Sequence, residues 1–304
     1  MTTTIAHDQI IEQALAWVEQ GKGAALATVV QTWGSAPRPV GSLLAISSEA
    51  ELAGSVSGGC VEGAVAAEAL EALEDGKCRV LSFGVSDDEA FAVGLACGGE
   101  IRVMVEPIAT GSGPNITLIN ELAALRQTRE AVILATNTTT WERRLIHPET
   151  GDPLETEAAA ARHADKSGFA GEWFLGVHNP PLRLAIIGAV HIAQPLMQMA
   201  RLTGYDPVVI DPREAFAAEA RFPGETLIHD WPDEALQAAA LDTRSAVVTL
   251  THDPKLDDPA IRTALSSPIF YLGCLGSTRT HAKRVARLEE AGFTAAQIAR
   301  IHAP

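Results

Sequence analysis

The chain has 304 residues, 47% of them apolar and 20% charged, with a formal net charge of -15. This length allows two domains, each burying its own core, and the apolar content excludes a disordered chain. The acidic balance argues against nucleic acid and anionic membranes, whose phosphates need Lys/Arg clusters, and no apolar run reaches the roughly 20 residues of a bilayer span.

The N-terminal "MTTTIAHDQI" lacks a basic region followed by an apolar stretch, so no signal peptide is expected. Cys60, Cys78, Cys97 and Cys274 are scattered, with no C-x-x-C, and suggest reduced thiols in a cytoplasmic protein rather than a disulfide framework or a zinc site.

In chain order, residues 8–21 carry apolar positions at helical spacing, and Gly21 suits a C-cap. "AALATVVQTWG" and "GSLLAI" read as strands around the turn "GSAPRPVG". A helix follows Cys60 to about Asp75. "CRVLSFGV" and "EIRVMVEPI" are further strands, and "ATGSGPN" is a loop. Residues 116–178 mix helix with short strands. The paired prolines of "HNPPLR" mark a linker, giving an N-terminal mixed α+β domain over 1–178 and a second domain over 182–304.

From there strands alternate with helices predicted at 192–203, 214–221, 232–240, 258–266 and 279–291. That rhythm predicts a Rossmann-like, doubly wound parallel sheet.

"IIGAVHIA" falls at a strand-to-helix turn, where a phosphate-binding glycine loop belongs. Asp211 ends the next strand, where a ribose-binding acid would sit. The glycine pattern is incomplete: Gly188 is followed by Val190 and Ala193 in place of the second and third glycines. A branched valine crowds the approach of a pyrophosphate, which leaves NAD(P) binding doubtful. His191 either faces this turn or caps it. Further polar groups fall at predicted carboxyl ends of strands: Asp211 and Arg213 in "DPR", the run "THDPKLDD", and "GSTRTHAKR". Three clusters on one rim indicate a binding crevice.

In the first half, "SGGCVE" and "ACGGEI" each set a thiol beside a glycine pair, with Glu62 or Glu100 following. The pair Gly58–Gly59 permits positive φ and close approach of a ligand, and a helix N-terminus favours the Cys60 thiolate, a nucleophile and soft metal ligand. Equally, Cys60 reads as a small buried residue at a tight turn. Cys97 lacks a helix dipole. Cys78 and Cys274 read as packing residues. Arg38 is either an anion ligand or a solvated turn residue. Glu62 and Glu100 either orient ligands and carry protons, or are ordinary first-turn and edge residues.

Taken with "LAIIGAVHIAQPL", "AVVTLTHDPKLDDPAI" and "YLGCLGSTRTHAKR", these segments make the chain resemble the xanthine dehydrogenase accessory factors, the XdhC/CoxI-type maturation proteins, from about residue 10 onward. The resemblance implies a maturation chaperone without turnover of its own. Such a protein binds molybdenum cofactor (molybdopterin) as cargo and delivers it, sulfurated, to an apo molybdenum hydroxylase such as xanthine or aldehyde dehydrogenase. A cysteine desulfurase is the implied sulfur source, and a homodimer is expected by analogy. Carried over by position, Cys60 is the first candidate molybdenum or pterin contact and Cys97 the second. The pterin phosphate is expected at the "SGGC" turn amides, at Arg38 or on the Rossmann rim. Members of the family usually have Gly-Ala-Gly-His where this chain has "GAVH", and usually continue beyond "ARIHAP"; the second domain is therefore expected to be shorter than usual. Two other readings remain: an NAD(P)-dependent oxidoreductase using Asp211, and a thiol redox protein pairing Cys60 with Cys97.

Overall fold

The structure, a computed structural model, describes residues 9–34, 36–59, 61–84, 99–148 and 151–304. The chain divides into two compact units, Met1–Pro180 and Pro181–Pro304. No helix among the described residues is long and apolar enough to cross a membrane.

In the first unit, β1 (Ala24–Gly34) is the centre of a five-stranded antiparallel sheet. The other strands are β2 (Leu43–Ser47), β3 (Leu52–Gly54), β4 (Arg79–Gly84) and β5 (Gly99–Pro107), in the order β3-β2-β1-β5-β4. A helix covers each face, which explains why β1 is apolar along a continuous run. Ala24 and Leu26 pack with α1 (Ile10–Glu19) through Ile11, Ala14 and Leu15. Ala25, Ala27 and Val29 point to the opposite face and pack with Val65, Ala69 and Ala72 of α2 (Glu62–Asp75).

Helix α3 (Ile116–Gln127), capped by the Asn115 side chain, joins the α1 layer. A second antiparallel sheet has the order β7-β6-β9-β8, built from β6 (Val132–Asn137), β7 (Arg143–Ile146), β8 (Gly168–Ala170) and β9 (Trp173–His178). Helix α4 (Glu155–Ala164) packs on it through Ala158.

The second unit is a parallel sheet of the order β12-β11-β10-β13-β14-β15, formed by β10 (Arg183–Ile187), β11 (Asp206–Ile210), β12 (Leu227–Ile228), β13 (Ser245–Thr249), β14 (Tyr271–Cys274) and β15 (Ile301–His302). Helices α5 (Ala193–Leu202), α6 (Pro232–Ala238), α7 (Pro254–Leu265), α8 (Thr278–Glu290) and α9 (Ala295–Ile298) complete it. The order reverses between β10 and β13, a Rossmann-like switch point, and strands buried on both faces account for the unbroken apolar runs.

Two expected helices differ. Residues 214–221 form successive turns: the Phe216 and Ala217 amides both reach the Arg213 carbonyl, and those of Arg221 and Phe222 reach that of Ala218. Pro212 and Pro223 bracket a segment too short to propagate a helix. Burial of Phe222, and the Arg221 guanidinium donating to the Ala189 carbonyl at 2.8 Å, favour the turns. Helix α7 starts at Pro254 rather than 258, because Asp253 caps the Lys255 amide at 2.9 Å and proline suits the first helical position.

Candidate functional site

Cys60 and Cys97 lie outside the described residues. Their neighbours in sequence can be placed. At one end of the five-stranded sheet Gly34 pairs with Gly99 and Trp33 with Glu100. The turn leaving β1 carries Pro37 and Arg38, and a β-carbon at Gly58 would lie 3.8 Å from Pro37 Cβ. The turn with Arg38, the loop ending at Gly59, and Gly99–Glu100 therefore gather at this end. Arg38 Nε is buried without a partner among the described residues.

The loop 55–59 is organised around the Glu62 carboxylate. One oxygen accepts from the Ser55 hydroxyl at 2.8 Å and from the Ser57 and Gly58 amides, each at 2.9 Å. The other accepts from the Ser57 hydroxyl at 2.6 Å and the Gly59 amide at 2.8 Å. Gly58 and Gly59 both have φ of +118°, a conformation that side-chain-bearing residues rarely adopt, so the glycine pair is what lets consecutive amides converge on one carboxylate. Burial opposes ionisation of Glu62. The Gly58 amide, the Ser57 hydroxyl and amide and the Ser55 hydroxyl outweigh it and hold the pKa far below the ordinary carboxylate range.

Two expectations change here. The amides of 57–59 are committed to Glu62 and are not free for an anionic ligand. Glu62 is a permanently charged anchor and does not carry protons near neutrality. A β-carbon at Gly59 would meet none of the described residues within 4 Å.

In the second unit, Asp211 is fully buried at the end of β11. Its carboxylate accepts from the Ala189 amide at 2.8 Å and from Arg213 Nε and Nη2 at 2.8 and 2.7 Å. Burial opposes its ionisation, but the Arg213 guanidinium and the Ala189 amide prevail and lower its pKa. Asp211 is therefore a clamp on the glycine turn, with no free oxygen for a ribose hydroxyl. Gly188 has φ of +104°, and a β-carbon there would lie 2.3 Å from Thr251 Cγ2, so the turn packs directly on the loop after β13. Val190 packs against the core and His191 is exposed. Arg213 lies over the exposed Phe216 ring, 4.1 Å from its centroid. With both oxygens held by Ala189 and Arg213, Asp211 does not serve a ribose in the Rossmann manner.

Cys78 and Cys274 are buried. Burial raises both thiol pKa values, and Cys78 accepts a hydrogen bond from Arg143. Among the described residues no group of three His, Cys, Asp or Glu could hold a metal. The sequence reading does not single out Ser57, which the S-x-x-x-x-E spacing at a helix start could have signalled, or Arg284, which ends the rim segment "GSTRTHAKR" but whose burial no spacing reveals, since arginine is seldom buried.

The fold and the glycine-cradled loop define a two-unit α/β protein with a Rossmann-like second unit. Residues 17–84 match the model of the XdhC and CoxI family, and residues 184–304 that of the XdhC Rossmann domain. The chain is 30% identical over 298 residues to the molybdenum cofactor insertion chaperone PaoD of Escherichia coli (strain K12), an alignment spanning 98% of this chain and 81% of PaoD. It is 28% identical over 275 residues to a protein of Bacillus subtilis (strain 168) named as a probable xanthine dehydrogenase component, spanning 86% of this chain and 82% of that protein. A crystal structure described as a xanthine dehydrogenase from Bacillus halodurans shares the fold, with a TM-score of 0.72 at 22% identity over 96% of this chain and 87% of that one. The chain belongs to the XdhC and CoxI family.

Proposed function

We propose that this protein acts in molybdenum-cofactor maturation. It binds molybdopterin as cargo, shields it, and hands it in sulfurated form to an apo molybdenum hydroxylase of the xanthine or aldehyde dehydrogenase type. The observation that carries the reading is the near full-length relation to PaoD, whose name describes a cofactor insertion chaperone. The gathering of Arg38, Gly59 and Glu100 at one sheet end supports a site in the first unit. Cys60 and then Cys97 are the candidate thiolate contacts to the metal–sulfur centre, since thiolates suit a soft ion. Sulfur supply by a cysteine desulfurase and assembly as a homodimer belong to the same proposal.

The test is purification from a host that makes molybdopterin, followed by assay of released pterin and molybdenum. Retention of both, lowered by Cys60→Ala, is expected. Absence of both, with no protection of added cofactor beyond that given by albumin, overturns the proposal. An oxidoreductase reading finds no support in the Asp211 geometry.

A further inference from the structure

A second feature lies on the rim of the Rossmann-like unit, in the segments "THDPKLDD" and "GSTRTHAKR". The helices α7 and α8 follow adjacent strands, β13 and β14, and the start of α7 and the side of α8 from Arg279 to Arg287 line a common cleft of about 220 Å³. At about 30 Å³ per water this holds roughly seven waters, room for a phosphate or a pyrophosphate. Four cations line it, Arg279, Lys283, Arg284 and Arg287, against two carboxylates, Asp257 and Asp258. A local excess of positive charge is unexpected on a chain of net charge -15.

The carboxylates are already engaged. Asp258 is held by the Arg287 guanidinium through both oxygens. Asp257 accepts from the Thr251 hydroxyl at 2.6 Å and the His252 amide at 3.1 Å. Arg284, in contrast, is buried, with 2% of its surface exposed, and its Nη1 has no partner among the described residues. Nη2 donates to the Leu275 carbonyl at 3.1 Å, so the guanidinium is fixed in place with one nitrogen unused. The Asp257 carboxylate offsets part of the Arg284 charge, but a buried donor without an acceptor is still costly, and the cost is recovered when an anion enters. Arg279 and Lys283 are at the rim. The first amides of α8 lack intrahelical acceptors; Ser277 satisfies that of Thr280, and the helix field adds attraction for negative charge.

We propose that this cleft binds the phosphate or pyrophosphate group of a small molecule, with Arg284 at its base and Arg279 and Lys283 closing over the outer oxygens. The site differs from the glycine-turn position of a Rossmann dinucleotide: it lies at the next two strand ends. It is argued from the second unit alone and is tested apart from the cofactor reading, which names this rim as one place for the pterin phosphate.

The test is calorimetric titration of the full chain with inorganic phosphate, pyrophosphate, AMP and NAD, each against potassium chloride of equal ionic strength. Binding of pyrophosphate is expected, weakened at least about tenfold in the Arg279→Ala/Lys283→Ala variant, whose rim positions leave the fold intact. Arg284→Lys, which keeps the charge but not the fork, should weaken it as well. Tighter binding of NAD than of AMP identifies a dinucleotide source, and equal or weaker binding identifies a phosphate monoester or free anion. No heat with any of the four at about 10 mM, or unchanged affinity in the double variant, overturns the proposal. Pterin retention by that variant is a separate readout, so the two proposals fail separately.

Discussion

Replacing Glu62 by Gln tests whether the carboxylate organises the loop that leads to Cys60. In the native loop one oxygen accepts from Ser55, Ser57 and Gly58 and the other from the Ser57 hydroxyl and the Gly59 amide. A glutamine can keep its oxygen on the first group. Its nitrogen then faces the Gly59 N–H, donor against donor, while the Ser57 hydroxyl can turn and accept. The variant thus loses one charge-assisted bond outright and the charge from the others. Hydrogen bonds to charged groups contribute about 1.5–3 kcal/mol each, and partial solvent access to Glu62 favours the low end, so the net loss is about 2 kcal/mol. That is roughly a thirtyfold rise in the local opening constant. Amide hydrogen exchange of the full chain reads it directly: protection at Ser57, Gly58 and Gly59 should fall by about that factor, while protection within β1 and β5 stays constant. Because the folded pKa of Glu62 is depressed, its stabilisation is complete above the ordinary carboxylate pKa of about 4.3 and is lost only as pH falls below it. Native protection, corrected for intrinsic rates, should therefore be flat between pH 7 and 5. Loop amides that exchange freely in the native protein, or equally in the variant, would refute the reasoning.

Gly188→Ala combines positive φ with an overlap on Thr251, whose hydroxyl is tied to Asp257, and should destabilise the second unit by about 2–4 kcal/mol in thermal melts; Gly204→Ala, with positive φ but open space, should cost about 1 kcal/mol. His178 is buried, and burial together with the Arg126 charge depresses its pKa to about 3. The stability it contributes is full above the unfolded value of 6.5 and is lost as pH falls toward 3, at up to about 1.4 kcal/mol per pH unit, so His178→Gln should flatten the decline of Tm between pH 6.5 and 5. Arg143→Met strands the buried Glu106, 2.6 Å from Arg143 Nε, and should cost about 3–5 kcal/mol by chemical denaturation. In a Cys60→Ala/Cys97→Ala variant the remaining thiols, buried and raised in pKa, should react with Ellman's reagent at pH 8 only after urea is added.

The second unit was largely legible because strands covered on both faces must be apolar throughout and the intervening helices amphipathic. The segment 214–221 has helix-compatible residues but is decided by distant groups: Phe222 enters the core and Arg221 reaches back to Ala189. Short strands such as β3 and β8 carry too few residues for a period to show. The site was legible as residue types and not as roles. Asp211 stood at the expected strand end, yet whether an acid meets a ribose or its own turn depends on the neighbouring Arg213, which the "DPR" spacing alone does not resolve.

The Glu62 contacts alter what the first unit can offer a ligand. A glycine-rich turn before a helix ordinarily presents amides to an anion, but here the chain supplies its own carboxylate and fills that position. The Glu62 carboxylate places negative charge in the loop, which disfavours phosphate there. An anionic ligand must find its cations elsewhere. In the first unit the candidate is Arg38, with Nε buried and unpartnered among the described residues, on the turn whose Pro37 meets Gly58. In the second unit the candidate is Arg284, whose Nη1 is buried and unpartnered among the described residues. Each unit therefore offers an arginine donor to an anion. An Arg38→Met variant that loses pterin while keeping pyrophosphate binding, together with an Arg279→Ala/Lys283→Ala variant that does the reverse, would assign the two duties to separate units.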